Sequence, residues 1–200
     1  MRHAVVAIVA GMVLSLVPAC APKAARSALE GAGAWGAVGG MTVSRDDHEV
    51  KGTRDKSLYL TERYSLDAYR IAVPNGTYTV TLHFAETYEG ITAAGERVFS
   101  VSVEGKPVLA DLDPFKAAGG KAFAAVVQAF KVNVADGELT IGFQKKTQNP
   151  LINGIEVTAK GGSMLWPRET FAHRINCGAT EDYTDAAGRV WMHDRVFAAQ

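Results

Sequence analysis

Blocks of one charge are missing from this chain. Its 21 Lys and Arg residues balance 21 Asp and Glu for a formal net charge of zero. No basic patch stands out, which argues against nucleic acid as a partner. Cysteine is scarce: Cys20 and Cys177 are the two in 200 residues. A disulfide-dense scaffold is excluded, and the chain must rely on an apolar core. No apolar run reaches the about 20 residues that a membrane helix requires. The five histidines are scattered without the spacing of a metal centre. No EF-hand-like run supports a structural calcium ion on loop aspartates, and no cofactor is expected. Internal repeats and coiled-coil heptads are absent too.

The longest apolar run, Ala4 to Val17, follows Arg2 and His3. Its length suits the h-region of an export signal rather than a membrane span. It leads into Leu16-Val17-Pro18-Ala19-Cys20, which resembles the lipobox of bacterial lipoproteins. The resemblance implies a signal peptide over residues 1–19 and lipidation of Cys20. It implies a lipid anchor in the membrane and a cell-envelope location, at the outer membrane or facing the periplasm. Residues 20–32, rich in Ala, Gly and Ser, read as a flexible tether. Roughly 180 residues then remain, enough for one domain with a real core.

Beyond Ser57 the pattern is strands and turns. Tyr78, Val80, Leu82 and Phe84 alternate with Thr79, Thr81 and His83, as in a half-buried strand. Pro74-Asn75-Gly76, Glu104-Gly105 and Asp136-Gly137 are turn signals. They separate apolar runs at Tyr69–Val73, Val98–Val103, Lys106–Leu109, Val126–Val134, Leu139–Phe143 and Ile152–Val157. Short strands at such spacing predict an all-β sandwich. Phe115 to Ala125 is Ala-rich, but Gly119-Gly120 interrupts it, so it reads as a loop with at most a short helical turn.

Leu58-Tyr59-Leu60-Thr61-Glu62-Arg63-Tyr64, Leu82-His83-Phe84-Ala85-Glu86, Arg97-Val98-Phe99-Ser100-Val101 and Asn149-Pro150-Leu151-Ile152-Asn153-Gly154 follow one another in order. Together they resemble the malectin domain, a carbohydrate-binding β-sandwich. The resemblance implies an antiparallel, jelly-roll type sandwich. The segment with which that family opens is missing before residue 57. It is found near the C-terminus, as Arg174-Ile175-Asn176-Cys177-Gly178, then Tyr183-Thr184-Asp185, Gly188, Trp191 and Asp194. The expected organisation is a circular permutation: body 33–160, connector 161–173, and 174–200 folding back as the first strand of the same domain. The alternative is the start of a truncated second domain.

The resemblance also implies where sugar would bind. Aromatic rings stack on pyranose faces and planar polar groups bond the hydroxyls, on loops at the end of a rigid sandwich. The matching positions are Trp35, Tyr64, Tyr88, Gln148 and Asn149. The family has two aromatics after Phe-Ala-Glu; here they are Tyr88-Glu89, so one ring is lost. Each candidate also has a packing explanation, and Glu62 with Arg63 reads as a structural pair. For catalysis, Asp111 and Asp113 share a face at i, i+2, yet a glycosidase needs two carboxyls flanking one bond. His83 lies among outward-facing threonines with no Ser or Asp beside it, and Cys177 reads as a core residue. The expectation is non-catalytic carbohydrate binding. The alternatives are a protein or cell-wall interaction module and a fragment of a larger glycoside hydrolase.

Overall fold

The computed structural model describes residues 35–45, 48–159 and 171–198. The expected signal peptide (1–19), Cys20, the tether (20–32) and most of the connector (161–173) lie outside the described residues. Among the described residues, twelve strands form two sheets. The first runs β1 (Trp35–Ser44), β2 (Thr61–Ala72), β7 (Glu138–Thr147), β4 (Val98–Val103), β5 (Lys106–Leu112), with the two-residue β8 (Leu151–Ile152) also on β2. The second runs β11 (Tyr183–Thr184), β12 (Val190–His193), β10 (Phe171–Asn176), β9 (Gly154–Ala159), β3 (Gly76–Phe84), β6 (Val126–Val134). Pairing is antiparallel throughout these ladders except between β10 and β12. A single helical turn, α1 (Pro114–Ala117), follows β5 and is N-capped by the Asp113 carboxylate.

Alternation decides which face each strand buries. Val80, Leu82 and Phe84 of β3, Ile155 and Val157 of β9, and Ile175 of β10 point into the sandwich. They meet Tyr69 and Ile71 of β2, Leu139 and Ile141 of β7, and Phe99 and Val101 of β4. Each such side chain stabilises the fold by about 1.5–3 kcal/mol relative to exposure. The predicted strand at Tyr69–Val73 is the end of a longer one. β1 went unread because its Gly-rich sequence, WGAVGGMTVS, lacks a strict alternation. Its register shifts between Val38 and Gly39.

Residues 171–198 are built into this body. β10 pairs with β9 from Phe171↔Ala159 to Asn176↔Gly154. The tail then crosses to the first sheet, where Ala37 N donates to Arg195 O (2.9 Å) and Phe197 N to Ala37 O (2.8 Å). Asp194 is buried and accepts from Arg63 Nε (2.7 Å), Tyr69 Oη (2.8 Å) and Gly178 N (2.7 Å). Gly178 sits against Glu62 with φ +84, and a Cβ there would collide with the Glu62 backbone. The Glu62–Arg63 pair expected from the sequence does not form. Neighbours on a strand point to opposite faces, so Glu62 bonds Thr87 while Arg63 bonds Asp194.

A second apolar cluster lies on the other side of β3. Val50, Leu58, Tyr59, Ala85 and Trp191 cover the face expected to be outward, and His83 lies beneath them. Tyr59 Oη is 2.8 Å from His83 Nδ1, and Trp191 meets the imidazole edge-on at 5.3 Å. Cys177 is fully buried, and burial pushes its thiol well up, so it is no nucleophile. Burial also lowers His83 to about 4, and lowers His173 to about 4 with the Arg195 charge adding to it. In the unfolded chain both titrate near 6.5. Below that value the unfolded state takes up protons that the folded state refuses, down to about pH 4. Stability is therefore complete above pH 6.5 and drops between 6.5 and 4, by at most about 3 kcal/mol per histidine. Urea unfolding across this range should show the fall, and His83→Gln and His173→Gln should each flatten it. An unchanged slope in both variants would contradict the assignment.

Candidate functional site

At the end of the sandwich where β1 finishes and β2 begins, three loops meet. The first follows β1, the second follows β3, and the third leads from α1 into β6. Backbone bonds lace them together: Lys51 N donates to Phe123 O (2.8 Å), Phe123 N to Glu86 O (2.8 Å) and Ala125 N to Lys51 O (2.8 Å). Between them opens a cleft of about 360 Å³ lined by Ser44, Arg45, His48, Thr87, Tyr88, Glu89 and Phe123.

A buried ionic layer lies behind two of its lining residues, Thr87 and Tyr88. Glu86 is fully buried and receives Arg97 through Nε (2.6 Å) and Nη2 (3.3 Å). Its other role is to accept the Tyr88 backbone N–H at 3.0 Å. Arg97 Nη1 continues to Asn149 O at 2.5 Å. Thr87 Oγ1 donates to buried Glu62 at 2.6 Å. Burial raises the Glu62 carboxyl above its usual range, while the Thr87 hydroxyl and the charges of Arg97 and Arg45 pull it back. These bonds fix Thr87 and Tyr88 at the cleft's edge without mobile side chains beneath them.

Tyr88 is 46% exposed. Its ring lies against Gly90, where a Cβ would come within 2.5 Å of Cε1 and 2.6 Å of Cζ. Only a residue without a side chain leaves room for the ring in this position. His48, on the loop after β1, stacks its ring on that of Phe123 at 4.2 Å with an interplanar angle of 6°. Glu89 Oε1 lies 3.8 Å from His48 Nε2.

Of the residues expected to bind, the structure brings only Tyr88 into this cleft. Trp35 is a correction. It is 2% exposed, with Arg195 stacked over its ring at 3.8 Å and His173 edge-on at 5.1 Å, so it has no face left for a ligand. It starts β1, at the far end of that strand from Ser44. Tyr64 is half-buried on β2, packs partly on the main core, and contacts Met41 rather than the cleft. Gln148 is exposed, with φ 56, and its own amide oxygen accepts Asn149 N. Asn149 is held by Lys145 and Arg97 and reaches the site only through Arg97 and Glu86. The acidic pair is separated as well. Asp111 is exposed and bonds Lys146, whereas Asp113 is buried as the α1 cap and accepts Gly95 N. Arg45, His48, Thr87 and Phe123 were not singled out in the sequence. The Gly119-Gly120 kink that brings Phe123 round was visible there only as a helix breaker.

A family model described as the malectin domain matches residues 30–161. Receptor-like protein 4 of Arabidopsis thaliana is 43% identical over 95 residues, 47% of this chain and 14% of that protein. Malectin-B of Xenopus laevis is 32% identical over 90 residues, 44% of this chain and 31% of that protein. Among solved structures, a beta-glucuronidase of Bacteroides uniformis is similar with TM-score 0.56 and 27% identity, covering 62% of this chain and 14% of that one. The plant receptor-like kinase FER shares the fold with TM-score 0.53 and 20% identity, over 59% of this chain and 39% of its own. The chain therefore spans a minor part of these relatives' length.

Proposed function

The chain belongs to the malectin domain family, and from that premise we propose that it is a non-catalytic module that binds carbohydrate in the cleft at Tyr88. The observation carrying this reading is the exposed Tyr88 ring, backed by Gly90 and fixed by Glu86, in a cleft that also presents Arg45 and Glu89. A flat ring offers stacking to a pyranose C–H face, and Arg45 and Glu89 offer polar partners for sugar hydroxyls. The carboxylates near the cleft favour binding over hydrolysis. Glu86 is committed to Arg97 and Glu62 to Thr87, so among the described residues Glu89 is the one carboxylate lining the cleft, where a glycosidase uses two. Open sites of this type bind on the order of micromolar to millimolar.

Binding to gluco-oligosaccharides, followed by NMR titration, should weaken at least tenfold in Tyr88→Ala with the melting temperature unchanged. A folded wild type that binds no sugar would move the reading to a protein-docking module. A second reading is an accessory module of a larger glycan-degrading enzyme. It is favoured by the match to 14% of a beta-glucuronidase chain. A glucuronate-bearing oligosaccharide among the probes tests it: preference over the neutral sugars supports this reading, and no binding opposes it.

Two features of organisation belong to the same proposal. The segment 174–200 stands as a transposed opening strand of the domain, supported by the β10–β9 ladder and the Asp194 bonds. A rearranged chain with 174–198 joined ahead of Trp35 should fold and bind as the parent does; aggregation of that variant alone would oppose the permutation. Lipid on Cys20 would tether the module to a membrane surface. Labelling with a fatty-acid analogue should mark the wild type and leave Cys20→Ala unmarked, and equal labelling would sink the anchor.

A further inference from the structure

Phe123 occupies a backbone conformation that an aromatic residue rarely takes, with φ 49. Such left-handed positions favour Gly, Asn or Asp, because a larger side chain crowds the following carbonyl. They persist where surrounding bonds over-determine them, and they gather at ligand clamps. Here the bonds are the ones lacing the three loops, with Phe123 N held by Glu86 O and Phe123 O by Lys51 N. The ring is not spent in the core. It is half-buried, one face is stacked on His48, and it lines the same cleft as Tyr88. A glycine would satisfy this backbone without strain, so the aromatic side chain is what the position retains at a cost.

We propose that Phe123 is the second aromatic contact of the cleft, working with Tyr88 to hold a pyranose by its C–H surface. The loop after β3 carries a single ring, because Glu89 follows Tyr88. The loop before β6 supplies the other, from about thirty-five positions further along the chain. His48, which lines the cleft beside it, stiffens it by stacking, as Gly90 seats Tyr88. Two rings fixed before a ligand arrives lose little freedom on binding, which favours affinity in a small open cleft. The inference rests on the reading of the cleft as a sugar site and adds a residue to it.

Two substitutions test it in the full chain, Phe123→Gly and Phe123→Leu, with Tyr88→Ala beside them. The probes are maltotriose, cellotriose and laminaritriose, followed by saturation-transfer NMR and titration. Phe123→Gly relieves the strained backbone, so its melting temperature should hold or rise while affinity for the bound trisaccharide falls roughly tenfold. Phe123→Leu keeps apolar bulk without a π face and should lose affinity severalfold with its fold intact. If Tyr88→Ala abolishes binding but both Phe123 variants bind within twofold of the wild type, Phe123 is no contact and the cleft reading survives without it. A melting temperature that drops in Phe123→Gly with affinity unchanged would assign the ring to packing alone. If the folded wild type binds none of the three sugars, the cleft reading falls, and the role of Phe123 in it falls too.

Discussion

The Asp194 carboxylate accepts four hydrogen bonds, from Arg63 Nε, Tyr69 Oη, Gly178 N and Arg195 N. Two of these donors belong to β2 and one to the turn after β10, so a single buried anion joins β2 of the first sheet to the C-terminal segment. Arg63 carries the connection further, to the carbonyls of Gly39 and Gly40 at the irregularity of β1. A buried pair of this kind adds little compared with an apolar replacement of the same shape. Removing one member is different, because it strands the other charge at a cost of about 3–5 kcal/mol. Small domains have about 5–15 kcal/mol in total. The attachment of residues 171–198 is thus close to all-or-none. Either Asp194 is in place and the second sheet is complete, or β9 is left with an open edge.

The adjacent residue Glu62 faces the opposite way and begins a separate network. Thr87, Glu86, Arg97 and the Asn149 carbonyl form one polar layer under the cleft. Placing charges there is expensive, and the layer is tolerable because its carboxylates and guanidinium have partners. Its return is geometric. Tyr88 leaves a strand end, where a loop residue would ordinarily sample many positions, yet its backbone N–H is held by a carboxylate that is itself gripped twice by Arg97. A weak ligand cannot supply the ordering free energy for mobile loops, so a cleft of this size depends on loops ordered in advance. The raised Glu62 carboxyl follows from the same arrangement, since burial outweighs the hydroxyl and the cations around it.

Much of the sandwich was legible because local rules and tertiary demand agree there. The alternation in Tyr78–Phe84 and the turns at Asn75-Gly76, Glu104-Gly105 and Asp136-Gly137 each specify one outcome. β1 was not legible. Its glycines remove side chains that would show a period, and its pairing with β2 depends on contacts far away in sequence. The outer face of β3 misled for a different reason. Threonines flank His83 as on a solvated strand, and nothing local announces that Trp191, more than a hundred residues on, will cover it. Trp35 illustrates the limit of positional matching. A tryptophan between glycines resembles a ligand loop, but its burial was decided by Arg195 and His173, both from the segment that closes the sheet.

All the residues that line the cleft fall between Ser44 and Phe123, within the segment matched by the family model. Asp194 falls outside that segment with its donors Gly178 and Arg195, while its donors Arg63 and Tyr69 fall inside it. The two tasks are physically separable because they rest on different kinds of bond. The loops after β1, after β3 and before β6 hold one another by backbone bonds, which are indifferent to side-chain identity. Residues such as His48, Glu89 and Phe123 can then change with little effect on the ladder beneath them. The Asp194 site has no such latitude, because two of its donors are side chains and a third is a glycine amide that no larger residue can replace. The constraint that closes the domain is therefore rigid in sequence, while the cleft is rigid only in backbone.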